Sequence, residues 1–85
     1  MKLRVLYFAR LREAFGRSAE DIDLADETAD VAALIARLRE RGSPWDVELA
    51  PGRTFRVAVD QDMATLQTPL HADAEVAIFP PVTGG

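Results

Sequence analysis

The residues with the most distinctive chemistry stand at the end of the chain, in the run Phe79-Pro80-Pro81-Val82-Thr83-Gly84-Gly85. Two successive glycines lack a Cβ, so they thread a narrow channel and bend freely. Read as the C-terminus, Gly85 offers a free carboxylate. A carboxylate is a poor electrophile and needs activation, typically as an acyl-adenylate, before a nucleophile attacks its carbonyl carbon. A side chain at that carbon would obstruct both the activating enzyme and the acceptor. Pro80 and Pro81 favour an extended, polyproline-like lead-in. The six residues from Pro80 reach up to ~20 Å at ~3.3 Å each. A frayed end without a role is the plain alternative. A Gly-Gly pair placed directly after a strand and a stiff diproline argues against it.

Little else in the chain can do covalent chemistry. There is no cysteine, hence no disulfide, thiolate nucleophile or cysteine-based metal site. His71 is the single histidine and falls in a turn, where a surface side chain is expected. Phosphate-binding glycine loops, nucleophile elbows and His-Glu-x-x-His spacings are absent. No bound cofactor and no metal are expected. Glu20-Asp21 and Asp26-Glu27 read as solvated hairpin and loop acids. With 14 acidic and 10 basic residues the formal charge is −4, which argues against nucleic acid as a partner, because phosphate binding needs a basic face. The opening segment holds no signal-peptide core and no membrane span, so a cytoplasmic, membrane-free protein is expected.

The elements that must present this tail can be read from hydropathy patterning. Leu3 to Ala9 alternates, with Leu3, Val5 and Tyr7 on one face and Leu6 and Phe8 on the other. Arg10 to Gly16 is a short helical connector stopped by glycine. Ala19 to Leu24 is a strand that hairpins back on the first. Val31, Leu34, Ile35 and Leu38 fall at i, i+3, i+4 and i+7, predicting one amphipathic helix over about 29–41. Thr28 is its expected N-cap, Gly42 its stop. Arg37, Arg39 and Arg41 suit the negative end of its dipole and read as a solvated face.

Ser43 to Arg53 reads as an irregular loop in which Trp45 plugs the edge of the core. Phe55, Val57 and Val59 mark a strand, Asp60-Gln61-Asp62 its turn, and Met63 to Leu66 a short strand. Thr68-Pro69-Leu70 is a bend. Glu75 to Phe79 is the last strand, with Val76 and Ile78 inward and Ala77 and Phe79 outward; Pro80 ends it.

One helix over a mixed sheet of four or five strands is an α+β layer pair. The order fits a β-grasp (ubiquitin-like) roll over residues 1–79, followed by a flexible tail, 80–85. A ferredoxin-like fold would need a second helix of similar length.

The chain resembles the molybdopterin synthase small-subunit (MoaD) family over nearly its whole length. The likeness lies in Val5-Leu6-Tyr7-Phe8-Ala9-Arg10-Leu11-Arg12-Glu13, the central helix, Val59-Asp60-Gln61 and above all Glu75 to Gly85. The resemblance implies a sulfur carrier, not catalytic alone, in molybdenum-cofactor biosynthesis. An adenylating enzyme of the ubiquitin-activating type would use ATP on Gly85, and a sulfur donor would convert it to a thiocarboxylate. The tail would then enter the large molybdopterin synthase subunit, in a heterotetramer, and pass sulfur to a cyclic pterin precursor. Gly84, Thr83, Val82 and Pro81 would thread the passage, and Phe8, Arg12, Met63 and Phe79 would dock the partner. A ubiquitin-like carrier for tRNA thiolation or thiamine is the alternative. Where the family often has a glycine before the last strand, this chain has Ala72-Asp73-Ala74, and Asp73 can supply the left-handed residue.

Overall fold

The computed structural model of the chain describes residues 1–81. Val82, Thr83, Gly84 and Gly85 lie outside the described residues.

Alternation builds the sheet. In β1 (Lys2–Tyr7) the odd residues Leu3, Val5 and Tyr7 are buried, as the pattern predicts. β2 (Ala19–Asp23) pairs antiparallel with it, Leu3 opposite Ile22 and Leu6 opposite Ala19. β5 (Glu75–Phe79) runs parallel to β1 on its other side, Val5 opposite Val76 and Tyr7 opposite Ile78. β3 (Arg56–Val59) pairs antiparallel with β5, and β4 (Asp62–Ala64) with β3. The mixed sheet of five strands has the order β2-β1-β5-β3-β4. Asp60 and Gln61 turn the β3–β4 hairpin with φ of 50° and 73°, the doubly left-handed geometry of a two-residue hairpin loop. Asp73 also takes a positive φ, 66°.

The helices cover one face. α1 (Ala9–Phe15) starts where β1 stops, so the first strand ends at Tyr7 and not at Ala9. It closes on Gly16 in the left-handed region, whose N–H donates to the Arg12 carbonyl. α2 (Val31–Arg39) lays Val31, Leu34, Ile35 and Leu38 onto the buried sheet face. Its N-cap is Asp30, whose carboxylate accepts from the Ala33 N–H at 2.9 Å, and not Thr28. Thr28 instead donates its own N–H to Asp26 at 2.8 Å. The chain at 29–30 remains extended because it bridges to Pro69 and Leu70, which postpones the helix.

A second correction concerns the 43–53 loop, where Trp45–Glu48 forms a single helical turn, α3. Trp45 is buried and stacks on Phe15, centroids 3.8 Å apart and planes 7° off parallel. Tyr7 meets both rings edge-on. This aromatic cluster fastens α1 and α3 to the end of the sheet.

Candidate functional site

Since the sheet alternates, the face away from α2 receives the even residues of β1 and the odd residues of β5. Registers align Ala19, Leu6, Ala77, Ala58 and Met63 into one row across all five strands. The next residues along β1 and β5 are Phe8 and Phe79, brought side by side by the parallel pairing; the Phe8 N–H donates to the Ile78 carbonyl at 3.2 Å. Phe8 is 44% exposed and Met63 65%. The structure therefore collects Phe8, Phe79 and Met63 on one apolar face, with Met63 on the edge strand, two strands from β5. That places it about 10 Å sideways from Phe79's strand. On β3 between them stand Ala58 and, directly opposite Phe79, the exposed Arg56. Leu6, Ala58 and Ala77 complete this face, and strand alternation would have found them.

Arg12 stands one helical turn beyond Phe8, its N–H 3.4 Å from the Phe8 carbonyl. Leu11 and Phe15 bury the other side of α1, so Arg12 is exposed, and it enters no ion pair among the described residues. β5 runs straight into Pro80 and Pro81. These line a shallow concavity of about 430 Å³ with Arg10, Gly52, Arg53 and Thr54. Arg10 and Arg53 both reach Glu48, at 3.3 and 3.2 Å. Neither arginine carried a sequence signal, because the loop and β5 are joined only in three dimensions. The site residues Val82, Thr83, Gly84 and Gly85 fall outside the described residues.

Behind this face a polar clasp holds β1, β2 and α2 together. The Tyr7 hydroxyl donates to Glu20 at 2.6 Å, and Arg41 donates to both Glu20 oxygens at 2.8 Å. Burial, and then the bond to Glu20, push the Tyr7 phenol far up. Burial alone would raise the Glu20 carboxyl, yet Arg41, Tyr7 and Arg17 together hold it below the usual carboxylate range. Arg41 also lies over the Trp45 ring at 4.5 Å. Glu20 is thus not the solvated acid that the sequence suggests, whereas Arg41 is exposed as expected and still closes on it. A second pair sits at the far turn. Asp60 accepts from the Glu75 N–H at 3.0 Å and from His71 Nε2 at 2.6 Å. His71 is exposed, as expected of a turn histidine.

Among the described residues no group of three or more histidine, cysteine, aspartate or glutamate side chains converges to hold a metal ion. Nor is any helix long and apolar enough to cross a membrane.

A five-stranded mixed sheet with one amphipathic helix across a single face defines a ubiquitin-like β-grasp protein. SAMP1 of Haloferax volcanii has this fold at a TM-score of 0.82, with 26% identity and full coverage of both chains. So does the complex of subunits 1 and 2 of the molybdopterin-converting factor from Helicobacter pylori, at a TM-score of 0.69 and 24% identity over all of both chains. The ThiS family pattern matches residues 5–85. A molybdopterin synthase sulfur carrier subunit of Haemophilus influenzae is 39% identical over 83 residues, 98% of this chain and 99% of the relative. The chain belongs to the ThiS family, within the molybdopterin synthase small-subunit (MoaD) group.

Proposed function

We propose that this chain is the sulfur-carrying subunit of a molybdopterin synthase, with Gly85 as the group that bears the cargo. The observation that carries the reading is the continuity of the exposed apolar face with the tail. Phe79 ends β5 on that face, and Pro80 follows without an intervening loop. A partner that docks on Phe8, Phe79 and Met63 therefore receives the tail at a fixed place.

In the first step the Gly85 carboxylate attacks the α-phosphorus of ATP, held by an adenylating enzyme of the ubiquitin-activating type, and pyrophosphate leaves. Sulfur at the sulfide level, HS⁻ released by a donor, then attacks the acyl carbon, gives up its proton and displaces AMP, leaving a thiocarboxylate. In the large subunit that sulfur passes to a cyclic pterin precursor. An oxygen from water restores the carboxylate, and a second visit supplies the second sulfur of the dithiolene. This chain's own residues position, stiffen and dock; catalysis belongs to the proteins that receive the tail. The glycines admit close approach to the acyl carbon, and the diproline limits the conformations lost on threading.

The test is mass spectrometry of the full chain incubated with ATP, the activating enzyme and a sulfur source. Sulfur in place of one oxygen on Gly85, lost on addition of large subunit and precursor, is the expected result. Absence of the exchange at Gly85 overturns the proposal. Thiolation without transfer to the pterin, but with transfer to a tRNA or a thiamine precursor, assigns the carrier to another pathway.

A further inference from the structure

Arg56 opens β3 and stands directly opposite Phe79, the last residue of β5. Its neighbour Val57 is buried in the core, so alternation turns Arg56 onto the outer face. Residues paired across antiparallel strands have Cα atoms about 4.5–5.5 Å apart. The guanidinium is therefore within reach of whatever covers Phe79. Phe8 just past β1, Phe79 at the end of β5 and Arg56 at the start of β3 all lie at one end of the sheet. Pro80 follows Phe79 immediately, so the tail begins at that same end.

Arg56 is exposed, enters no ion pair and lies over no aromatic ring among the described residues. Arg12, a helical turn beyond Phe8, is unpaired in the same way. The other two arginines beside Pro80 and Pro81 differ, because Arg10 and Arg53 both reach Glu48. The far end of the outer face also differs. There Arg4 pairs with Asp21 on one neighbouring strand and stands opposite Glu75 on the other. That cation is matched within the fold. In a chain of net charge −4, the tail end of this face instead keeps two spare cations. Arg12 follows Phe8 on the β1 side, and Arg56 adjoins Phe79 on the β3 side.

We propose that Arg56 is a partner-reading residue: with Arg12 it brackets the Phe8–Phe79 pair and donates to carboxylates that rim the apolar surface of the large synthase subunit. A guanidinium takes a carboxylate through two parallel hydrogen bonds, which fixes direction as well as distance. Apolar contact is non-directional, so Phe8, Phe79 and Met63 alone leave the partner free to rotate on the face. Two charges flanking the aromatic pair set its orientation. Because Arg56 lies on the last rung before the diproline, its pairing also sets where the tail enters the partner. A protein with lysines or arginines at those places meets like charge and is turned away. The inference rests on the sulfur-carrier reading and adds to it the charge that the large subunit presents beside the tail entrance.

The test measures the association rate of the full chain with the large subunit over a series of salt concentrations. At low ionic strength Arg56→Gln should slow association about threefold and Arg56→Glu about tenfold, both differences shrinking as salt rises. Arg56→Lys, which keeps the charge, should restore most of the rate. Arg37→Glu, on the exposed side of α2, makes the same change in net charge and should leave the rate nearly unaltered. Amide spectra report that each variant is folded; should Arg56→Glu unfold, Arg56→Gln carries the comparison. A wild-type rate in the folded Arg56 variants, equal slowing by Arg37→Glu, or a loss in Arg56→Lys as large as in Arg56→Gln overturns the inference and leaves the carrier reading standing. Failure of the wild-type chain to bind the large subunit overturns both.

Discussion

Met63 separates docking from folding more cleanly than any other residue of the outer face. Its side chain is 65% exposed on a three-residue edge strand. Complete burial of such a side chain contributes ~1.5–3 kcal/mol. About two thirds of that remains to be gained on docking, or ~1–2 kcal/mol, which corresponds to ~5–30-fold in Kd. The third already buried contributes under ~1 kcal/mol to the isolated chain. Met63→Ala should therefore weaken binding to the large synthase subunit by that factor while leaving thermal unfolding nearly unchanged. Phe79 is half-buried, so its removal mixes both effects. Isothermal titration of wild-type and variant chains against the large subunit, beside melts of each, decides the matter. An unchanged Kd in a folded Met63→Ala chain refutes the assignment of this face to docking.

Two further outcomes follow from the structure. Trp45→Ala removes a 7%-exposed indole stacked on Phe15 at 3.8 Å and should cost ~3–5 kcal/mol; a urea midpoint close to wild type would contradict that. The His71–Asp60 pair should respond to pH in both directions. Its bond to Asp60, then its bond to the Ala72 carbonyl, raise the His71 pKa. The Glu75 N–H, then His71, lower that of Asp60. The histidine's contribution is complete below its unfolded pKa of ~6.5 and fades as pH rises through the folded value. The aspartate's contribution is complete above ~3.9 and fades as pH falls through its lowered value. The pair is thus strongest between about pH 4 and 6.5. An NMR titration of His71 should move to lower pH in Asp60→Asn; an unmoved midpoint would show the contact to be absent in solution.

Much of the fold is legible because two periodicities dominate it. Alternation in β1 and β5, and the Val31–Leu34–Ile35–Leu38 stripe, fix which faces meet. What was misread involves partners far apart in sequence. Glu20 looks like a hairpin acid until Arg41, 21 residues away, closes on it. Arg39 and Arg41 read alike as basic residues at the end of a helix, yet one lines a groove and the other covers an indole. α3 is only four residues long, too short for a 3.6-residue period to register. Thr28 and Asp30 are both competent caps; the bridge to Pro69, invisible to local patterning, selects the later one. The outer apolar face is half-legible: strand alternation places Phe8 and Phe79, but only the β1–β5 pairing makes them neighbours.

The same pairing explains how an apolar face can stay exposed on a small acidic domain. Its middle row is mostly alanine, Ala19, Ala77 and Ala58 with Leu6 among them, so the surface there is low and the large side chains stand around it. Charge guards the flank, where Arg4 pairs with Asp21 at 3.3 Å, and the β4 edge is only three residues long. Short edges and flanking charges oppose sheet-to-sheet association. What remains accessible is a shallow apolar surface that a shaped partner can cover but a second sheet edge cannot extend. Because β5 both lies within that surface and leads into the diproline, docking fixes where the tail begins. The reach from Pro80 to Gly85 is then capped at ~20 Å. The sulfur-carrier proposal therefore predicts that a partner whose acyl-binding pocket lies farther than that from its own apolar docking surface takes no sulfur from this chain, however tightly it binds.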